Sequence, residues 1–351
     1  MTFSRRAGLL AAAAAIALTA TACAGGSTTG SAAGSSSAQA AADSFPVTVE
    51  NIYGKTVVPA QPTRVATLSW VNADAVLALD VVPVGMPLET WGNNENGSTD
   101  WKDAKLEELG AAIGTDKAPK QYSEADGVNF EEIAALTPDL IVAAYSGLTE
   151  EEYTKLSKIA PVVGPVAANY TASWRDTTTA VGKALGKSAA AEAVVADVDA
   201  QFQAAAAANP VLKDSTFIAG NLEPDTGGIN IYAGGDNRPR FLADLGMTEA
   251  PVVAENAKDG EFFFNWAGER GNELESDVFF TWLPEGNTRE DVEGDPLMGQ
   301  IPAVKDGGLV ATNDQMLTLA VSASSPLSLP WALKEFTPML VEAAQKVQDA
   351  K

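Results

Sequence analysis

Apolar and polar residues alternate with a period that changes along the chain. From Phe45 to Pro59, FPVTVENIYGKTVVP, the period is two on either side of Tyr53-Gly54, which predicts two short strands about a turn. Val65-Ala66-Thr67-Leu68 is a run of the buried-strand type, Asn72 to Leu79 has helical spacing, and Val82 to Met86 reads as another strand. Strand, helix and strand in that order predict a βαβ unit on a parallel sheet. A Gly/Asn/Ser/Asp-rich loop spans 92–100, and Trp101 then opens an acidic helix-like segment. Asn129 to Ala143 reads as short helix, proline turn and strand, and a helix near 149–159 followed by Ala160 to Val163 completes a first half. Past residue 210, strands are expected at Ser215 to Gly220, Val278 to Trp282 and Gly308 to Ala311. Asn230 to Gly235 reads as a turn or strand end, Arg238 to Gly246 as a helix closed by glycine, and Pro330 to Lys351 as a closing amphipathic helix.

Between these halves, Thr171 to Pro210 is the one long stretch where helix propensity dominates. Gly182 and Gly186-Lys187 divide it into a helix near 172–185 and a second over about 188–208, with Ser188 as N-cap and Asn209-Pro210 as the stop. Val194, Val198, Phe202 and Ala205 form one apolar stripe, opposite Glu192, Asp197, Asp199 and Gln203. Twenty-one helical residues reach roughly 30 Å. By itself the segment could be an ordinary surface helix; between two α/β halves it reads as a strut joining lobes.

Composition narrows the chemistry. Arg5-Arg6, an apolar run from Ala7 to Ala22 and the single Cys23 form an export signal ending in a site that resembles a lipobox, with Ala20 where Leu is usual. Residues 24–43 are Gly/Ser/Ala-rich and read as a flexible tether. The expected division is signal 1–22, lipidated Cys23 and tether 23–43, first lobe 44–170, linking helices 171–209 and second lobe 210–351. A net charge of −23 disfavours nucleic acid and anionic lipid as partners, so membrane attachment would rest on acyl chains. The chain contains no histidine. That removes Ser-His-Asp and Cys-His nucleophiles and disfavours protein-ligated zinc or copper.

An internal echo links the halves. Glu131, Leu136 and Asp139 precede the strand Leu140-Ile141-Val142, and Glu269, Leu274 and Asp277, at the same spacing, precede Val278-Phe279-Phe280. In each, Glu would open a short helix, Leu pack it down and Asp mark the turn into the strand. With this echo, the segments PTRVATLSWVNADAVLALDVVPVGM, NFEEIAALTPDLIVAAYSGL, YTKLSKIAPVV, ALGKSAAAEAVV and RPRFLADLGM resemble the iron-siderophore substrate-binding lipoproteins of ABC importers, over about 45–345. The resemblance implies an α/β fold of two Rossmann-like lobes with central, mostly parallel sheets, joined by a single long helix that allows little hinge motion. It also implies Glu131 and Glu269 as the acidic residues that meet a permease dimer, although Arg270-Gly271-Asn272 replaces the usual apolar helix start at the second. Asp74 stands where many relatives carry Glu and could be merely a surface helix residue.

The expected function is capture of a pre-formed Fe(III)-siderophore by a monomer lipid-anchored on the outer face of the cytoplasmic membrane, with no bond made or broken and no cofactor or protein metal ligand. Aromatic walls and a few cationic groups would bind the chelate. Trp70, Trp91 and Tyr145 are candidates from the first lobe, and Tyr232, Arg238, Arg240 and Trp266 from the second; core packing is the alternative for every aromatic, and surface ion pairing for the arginines. Trp282 is set lower because it extends a buried strand. With only two arginines in the expected cleft, a neutral or cationic hydroxamate chelate is favoured over a triply anionic catecholate. The alternatives are haem, on a Tyr or Met ligand, or cobalamin in the same fold, a carboxylate-dependent glycan hydrolase, and a passive scaffold.

Overall fold

Short strands buried on both faces, the type of strand parallel sheets require, form the centre of each half of the molecule. The computed structural model describes residues 43–224, 226–258 and 261–351. The expected signal segment, Cys23 and all of the tether but Asp43 lie outside the described residues.

In the first half, β1 (Val47–Asn51) and β2 (Gly54–Val58) pair as an antiparallel hairpin. Strands β3 (Val65–Thr67), β4 (Gly85–Pro87), β5 (Lys120–Tyr122), β6 (Leu140–Val142) and β7 (Val162–Val163) form an all-parallel sheet in the order β5-β4-β3-β6-β7. The strand period of two sorts side chains to opposite faces. Leu140 and Val142 join Val65, Val76 and Val181 on one side, while Ile141 joins Ala66, Ile133 and Leu156 on the other. The second half has a mixed sheet. Strand β8 (Thr216–Glu223) is flanked on one side by an antiparallel pair, β9 (Gly228–Tyr232) and, beyond β10 (Thr248–Glu249) in sequence, β11 (Phe263–Trp266). Strands β12 (Val278–Trp282) and β13 (Leu309–Thr312) extend the other side in parallel, and β10 pairs with the start of β8. Phe217, Val278 and Phe280 pack with Phe241 and Phe336, whereas Ile218, Phe279 and Leu309 pack with Met298 and Ile301. Of the two readings of Asn230 to Gly235, turn or strand end, the second holds for its first residues: the ladder from β8 draws Gly228–Tyr232 into a strand.

The long helix occupies Ser188–Ala208. Ala191 and Val194 pack into the first half's core, and Val198, Phe202 and Ala205 into the second half's. One apolar stripe therefore reaches both cores. Ser188 is not the N-cap: Lys187 takes that position, and the Ser188 N–H and Oγ both donate to Asp43 Oδ2, at 3.2 and 2.6 Å, which places an acid at the positive end of the helix. The preceding helix, Trp174–Ala184, crosses so closely that a Cβ on Gly182 would stand 2.3 Å from Ala191 Cβ. Arg175 on that helix pairs with Asp199 on the long helix and, at 3.0 Å, with Asp244 of the second half.

The Asp residues of the internal echo do more than mark turns. Asp139 accepts hydrogen bonds from Thr63 N (2.8 Å), Thr63 Oγ1 (2.8 Å) and Arg64 N (2.8 Å) just before β3. Asp277 accepts from Thr216 N (2.7 Å) and Thr216 Oγ1 (2.9 Å) at the start of β8. Each carboxylate thus ties its own strand to the parallel strand beside it, and burial, which would raise each pKa, is outweighed by these hydrogen bonds and, at Asp277, Lys351.

Asp74 requires a correction: it is fully buried rather than a surface helix residue. Its Oδ2 accepts from Trp101 Nε1 (2.7 Å) and from Ser325 Oγ (2.6 Å), and Lys102 lies 3.7 Å from Oδ1 while pairing more closely with Glu89. Ser325 follows the helix Gln315–Ser322 of the second half, so this buried network crosses from one half to the other. The Trp101 ring packs on Trp331 beside it, with centroids 5.4 Å apart.

Candidate functional site

Strand order reverses beside β3, where β4 and β5 lie to one side and β6 and β7 to the other. Open parallel sheets bind ligands in the crevice at such a point, beyond the strands' carboxyl ends. Asn72, fully buried, ties those ends together: its side chain donates to Leu68 O (2.5 Å) and Tyr145 O (2.9 Å) and accepts from Tyr145 N (3.1 Å). That fixes Ser69-Trp70 after β3 and Tyr145 after β6. From the second half, Trp282 at the end of β12 and the start of the helix Asn237–Asp244 face the same space.

The resulting cavity measures about 490 Å³, within the usual range for small-molecule sites. Its walls include Trp70, Trp91, Tyr145, Tyr170, Phe262 and Trp282, with Arg238 and Asp236 at one side. Trp70, Trp91, Tyr170 and Phe262 are between 38% and 44% exposed, a cluster of open aromatic surface that a monomer seldom leaves without a use. Trp70 packs on Tyr170 and Tyr170 on Tyr145, with centroids 5.4 and 5.5 Å apart, while Trp91 meets Trp282 edge-on at 6.3 Å. Left-handed backbone concentrates here: Ser69 (φ 61°), Asn169 (φ 51°) and Tyr170 (φ 61°) all border the cavity or its neighbour. Such conformations cost energy in non-glycine residues and gather at ligand sites. Gly92, next to Trp91, also has positive φ, and a Cβ there would stand 2.7 Å from Gln315 O across the cleft.

One ion pair carries the charge of the cavity wall, among the described residues. Arg238 is the one cationic side chain in the wall, among the described residues. Its Nε and Nη2 donate to the two oxygens of Asp236, at 2.7 and 2.5 Å, and its guanidinium lies 3.4 Å from the Tyr232 ring centroid. Burial pulls the Arg238 pKa down, but the hydrogen bonds and charge of Asp236 outweigh it and leave the pKa raised. The same Asp236 caps the helix by accepting from Arg238 N at 2.8 Å. Positive charge is present but already neutralised.

Of the residues expected to bind ligand, Trp70, Trp91, Tyr145 and Arg238 therefore come together in one wall. Tyr232 stands behind it, accepting from Trp282 Nε1 at 2.8 Å and supporting Arg238. Arg240 points elsewhere, donating to Gly234 O (3.1 Å) and Thr171 O (3.0 Å). Trp266 is buried in the core on the far face of the second sheet, under Arg270, and does not line the cavity. Tyr170 and Phe262 are wall residues that sequence reasoning passed over, and Trp282, set lower as the extension of a buried strand, also lines the wall. Trp282 carries the strand-end signal that singled out Trp70, and Tyr170 sits in a polar loop as Trp91 does. Glu131 and Glu269 are exposed in the first turns of Phe130–Ala135 and of the 3₁₀ helix Gly268–Glu273. No group of three or more Cys, Asp or Glu residues is placed to hold a metal ion, and no helix is long and apolar enough to cross a membrane, among the described residues.

Known proteins share this arrangement. A family model described as "Periplasmic binding protein" matches residues 65–316. Over 281 residues the chain is 25% identical to the "Probable siderophore-binding lipoprotein YfiY" of Bacillus subtilis, covering 75% of this chain and 78% of that one. It is 25% identical over 256 residues to the "Fe(3+)-citrate-binding protein YfmC" of the same organism, covering 72% of this chain and 74% of the relative. Among solved structures, Streptococcus pneumoniae PiaA in complex with ferrichrome superposes with a TM-score of 0.78 at 29% identity, over 86% of this chain and 99% of PiaA. With a match over more than half its length and the same two-lobed α/β fold, the chain belongs to the periplasmic binding protein family.

Proposed function

We propose that this chain is the extracytoplasmic substrate-binding subunit of an ABC importer and that its aromatic cleft captures a ferric siderophore of the hydroxamate type. The observation that carries the reading is the aromatic cavity whose one arginine is spent on Asp236. Iron held by three hydroxamates is a neutral complex with an apolar periphery, suited to stacking on Trp70, Trp91, Tyr170 and Trp282. Iron held by three catecholates carries three negative charges, and burying them without an uncommitted cation would be strongly unfavourable. The names of YfiY and PiaA's complex support the siderophore class. The same charge argument separates this cleft from the anionic chelate in YfmC's name. Iron would arrive fully coordinated, so the protein supplies walls rather than ligands and performs no reaction. The test is quenching of tryptophan fluorescence: ferrichrome should quench saturably and a ferric tris-catecholate should not. Tight catecholate binding without a hydroxamate response would reject the reading.

Delivery is proposed to use Glu131 and Glu269 against arginines of the permease, with Cys23 lipidated to hold a monomer near the membrane and the long helix keeping the lobes at fixed spacing. Both glutamates are exposed and outside the cavity wall. Glu131→Ala with Glu269→Ala should leave chelate affinity unchanged and abolish iron uptake by cells. Loss of affinity in the purified double variant would overturn the docking role.

A further inference from the structure

Beside the aromatic cleft lies a second cavity of about 180 Å³, which shares Gly147 and Tyr170 with it as common wall. A cavity of that size has room for several waters, or for a short aminoalkyl arm. Glu124 and Glu152 line it, and no Lys or Arg does, among the described residues. Glu152 is engaged by the N–H and hydroxyl of Thr149, at 2.8 and 2.7 Å. Glu124 is only half engaged. Its Oε2 accepts from the N–H of Ser69 (2.9 Å), whereas Oε1 is buried and has no hydrogen-bond partner. A buried carboxylate oxygen left unpaired is costly, and one beside a ligand cleft is an acceptor waiting for a donor. Glycine at 147 keeps this shared wall thin, since a Cβ there would stand 2.6 Å from the Tyr170 ring.

We infer that this side cavity is a cation subsite in which Glu124 receives a pendant primary ammonium of a ferric hydroxamate bound in the aromatic cleft. The inference rests on the proposed function and narrows it to chelates that carry a positive arm. The main cleft adds no positive charge to oppose this, because Arg238 is neutralised by Asp236. The titratable groups around Glu124 are all acidic or neutral: Glu152 and Tyr170 in the wall, Glu89, and the buried Tyr122. Burial raises the Glu124 carboxyl to about 7. An arriving ammonium favours the carboxylate, so binding releases a proton where the free carboxyl is protonated. Affinity for an amine-bearing chelate therefore rises with pH through 7 and levels off above it, until the amine itself loses its proton near 10.

The experiment compares three ferric hydroxamates on the purified protein: ferrioxamine B, which has a terminal amine, its N-acetylated derivative, and ferrichrome, which has no amine. Ferrioxamine B should bind roughly ten- to a hundredfold tighter than its acetylated form, and about tenfold tighter at pH 8 than at pH 6, with no such slope for the other two. Glu124→Gln should bring the ratio between amine and acetylated chelates close to one. Equal affinity and a flat pH profile for the first two chelates on the wild-type protein would overturn the subsite while leaving the hydroxamate reading standing. Failure of all three to bind would overturn that reading, and the subsite with it.

Discussion

The two halves of the molecule meet in two places that use the same kinds of residue to opposite ends. At the buried seam, Trp101 packs on Trp331, its indole N–H is taken by Asp74, and Lys102 lies between Glu89 and Asp74 with all three charged side chains at most 4% exposed. At the cleft mouth, Trp91 meets Trp282 and a cation–carboxylate pair, Arg238 and Asp236, stands beside them. There, however, Trp91 stays 38% exposed and the cavity beside the rings is open. At the mouth one arginine meets one carboxylate, whereas at the seam one lysine serves two carboxylates and burial pushes the Asp74 pKa up. What distinguishes them is whether aromatic surface has a protein partner, and that decides whether the contact locks the halves or receives a ligand.

Breaking the seam should give the larger effect. Lys102→Met leaves Glu89 and Asp74 buried without their cation, and removal of one member of a buried ionic group costs about 3–5 kcal/mol. Chemical denaturation should show a loss of that order, partly recovered by adding Glu89→Gln, which removes one stranded charge. At the mouth the balance should reverse. Trp91→Ala removes an exposed ring, so stability should move by about 0.5 kcal/mol or less, while chelate affinity falls roughly tenfold or more because the ring is an uncovered wall of the site. Denaturation and fluorescence titration of the same two variants check both halves of the contrast.

Local chemistry made much of this legible in the sequence. Continuous apolar runs such as Leu140-Ile141-Val142, entered from a proline turn, read as strands buried on both faces, and the Val194, Val198, Phe202, Ala205 stripe foreshadowed a helix packed along its length. Trp70 and Trp91 stood out because each follows a strand and borders polar residues. The spacing of Glu131, Leu136 and Asp139 against Glu269, Leu274 and Asp277 identified two equivalent strand entries, although the clamp each Asp makes depends on partners 76 and 61 residues away in sequence. Long-range pairing hid the rest. Asp74 looked like a surface acid because Ser325, which it meets 251 residues away, is separated from it by most of the chain. Arg238 was visible as a cation, but the two-point grip of Asp236 depends on the helix cap that positions both. Trp266 and Arg240 show the reverse error: aromatic and cationic character suits a cleft, yet core packing and loop carbonyls claim them.

On the proposed function, the cleft refuses anionic chelates because Asp236 holds Arg238. The direct measurement is titration of the wild-type protein and Asp236→Asn with a triply anionic ferric tris-catecholate. Asparagine still caps the helix Asn237–Asp244 but no longer cancels the guanidinium. No saturable binding by the wild type and clear binding by the variant is the predicted result, and comparable saturable binding by both would contradict the account.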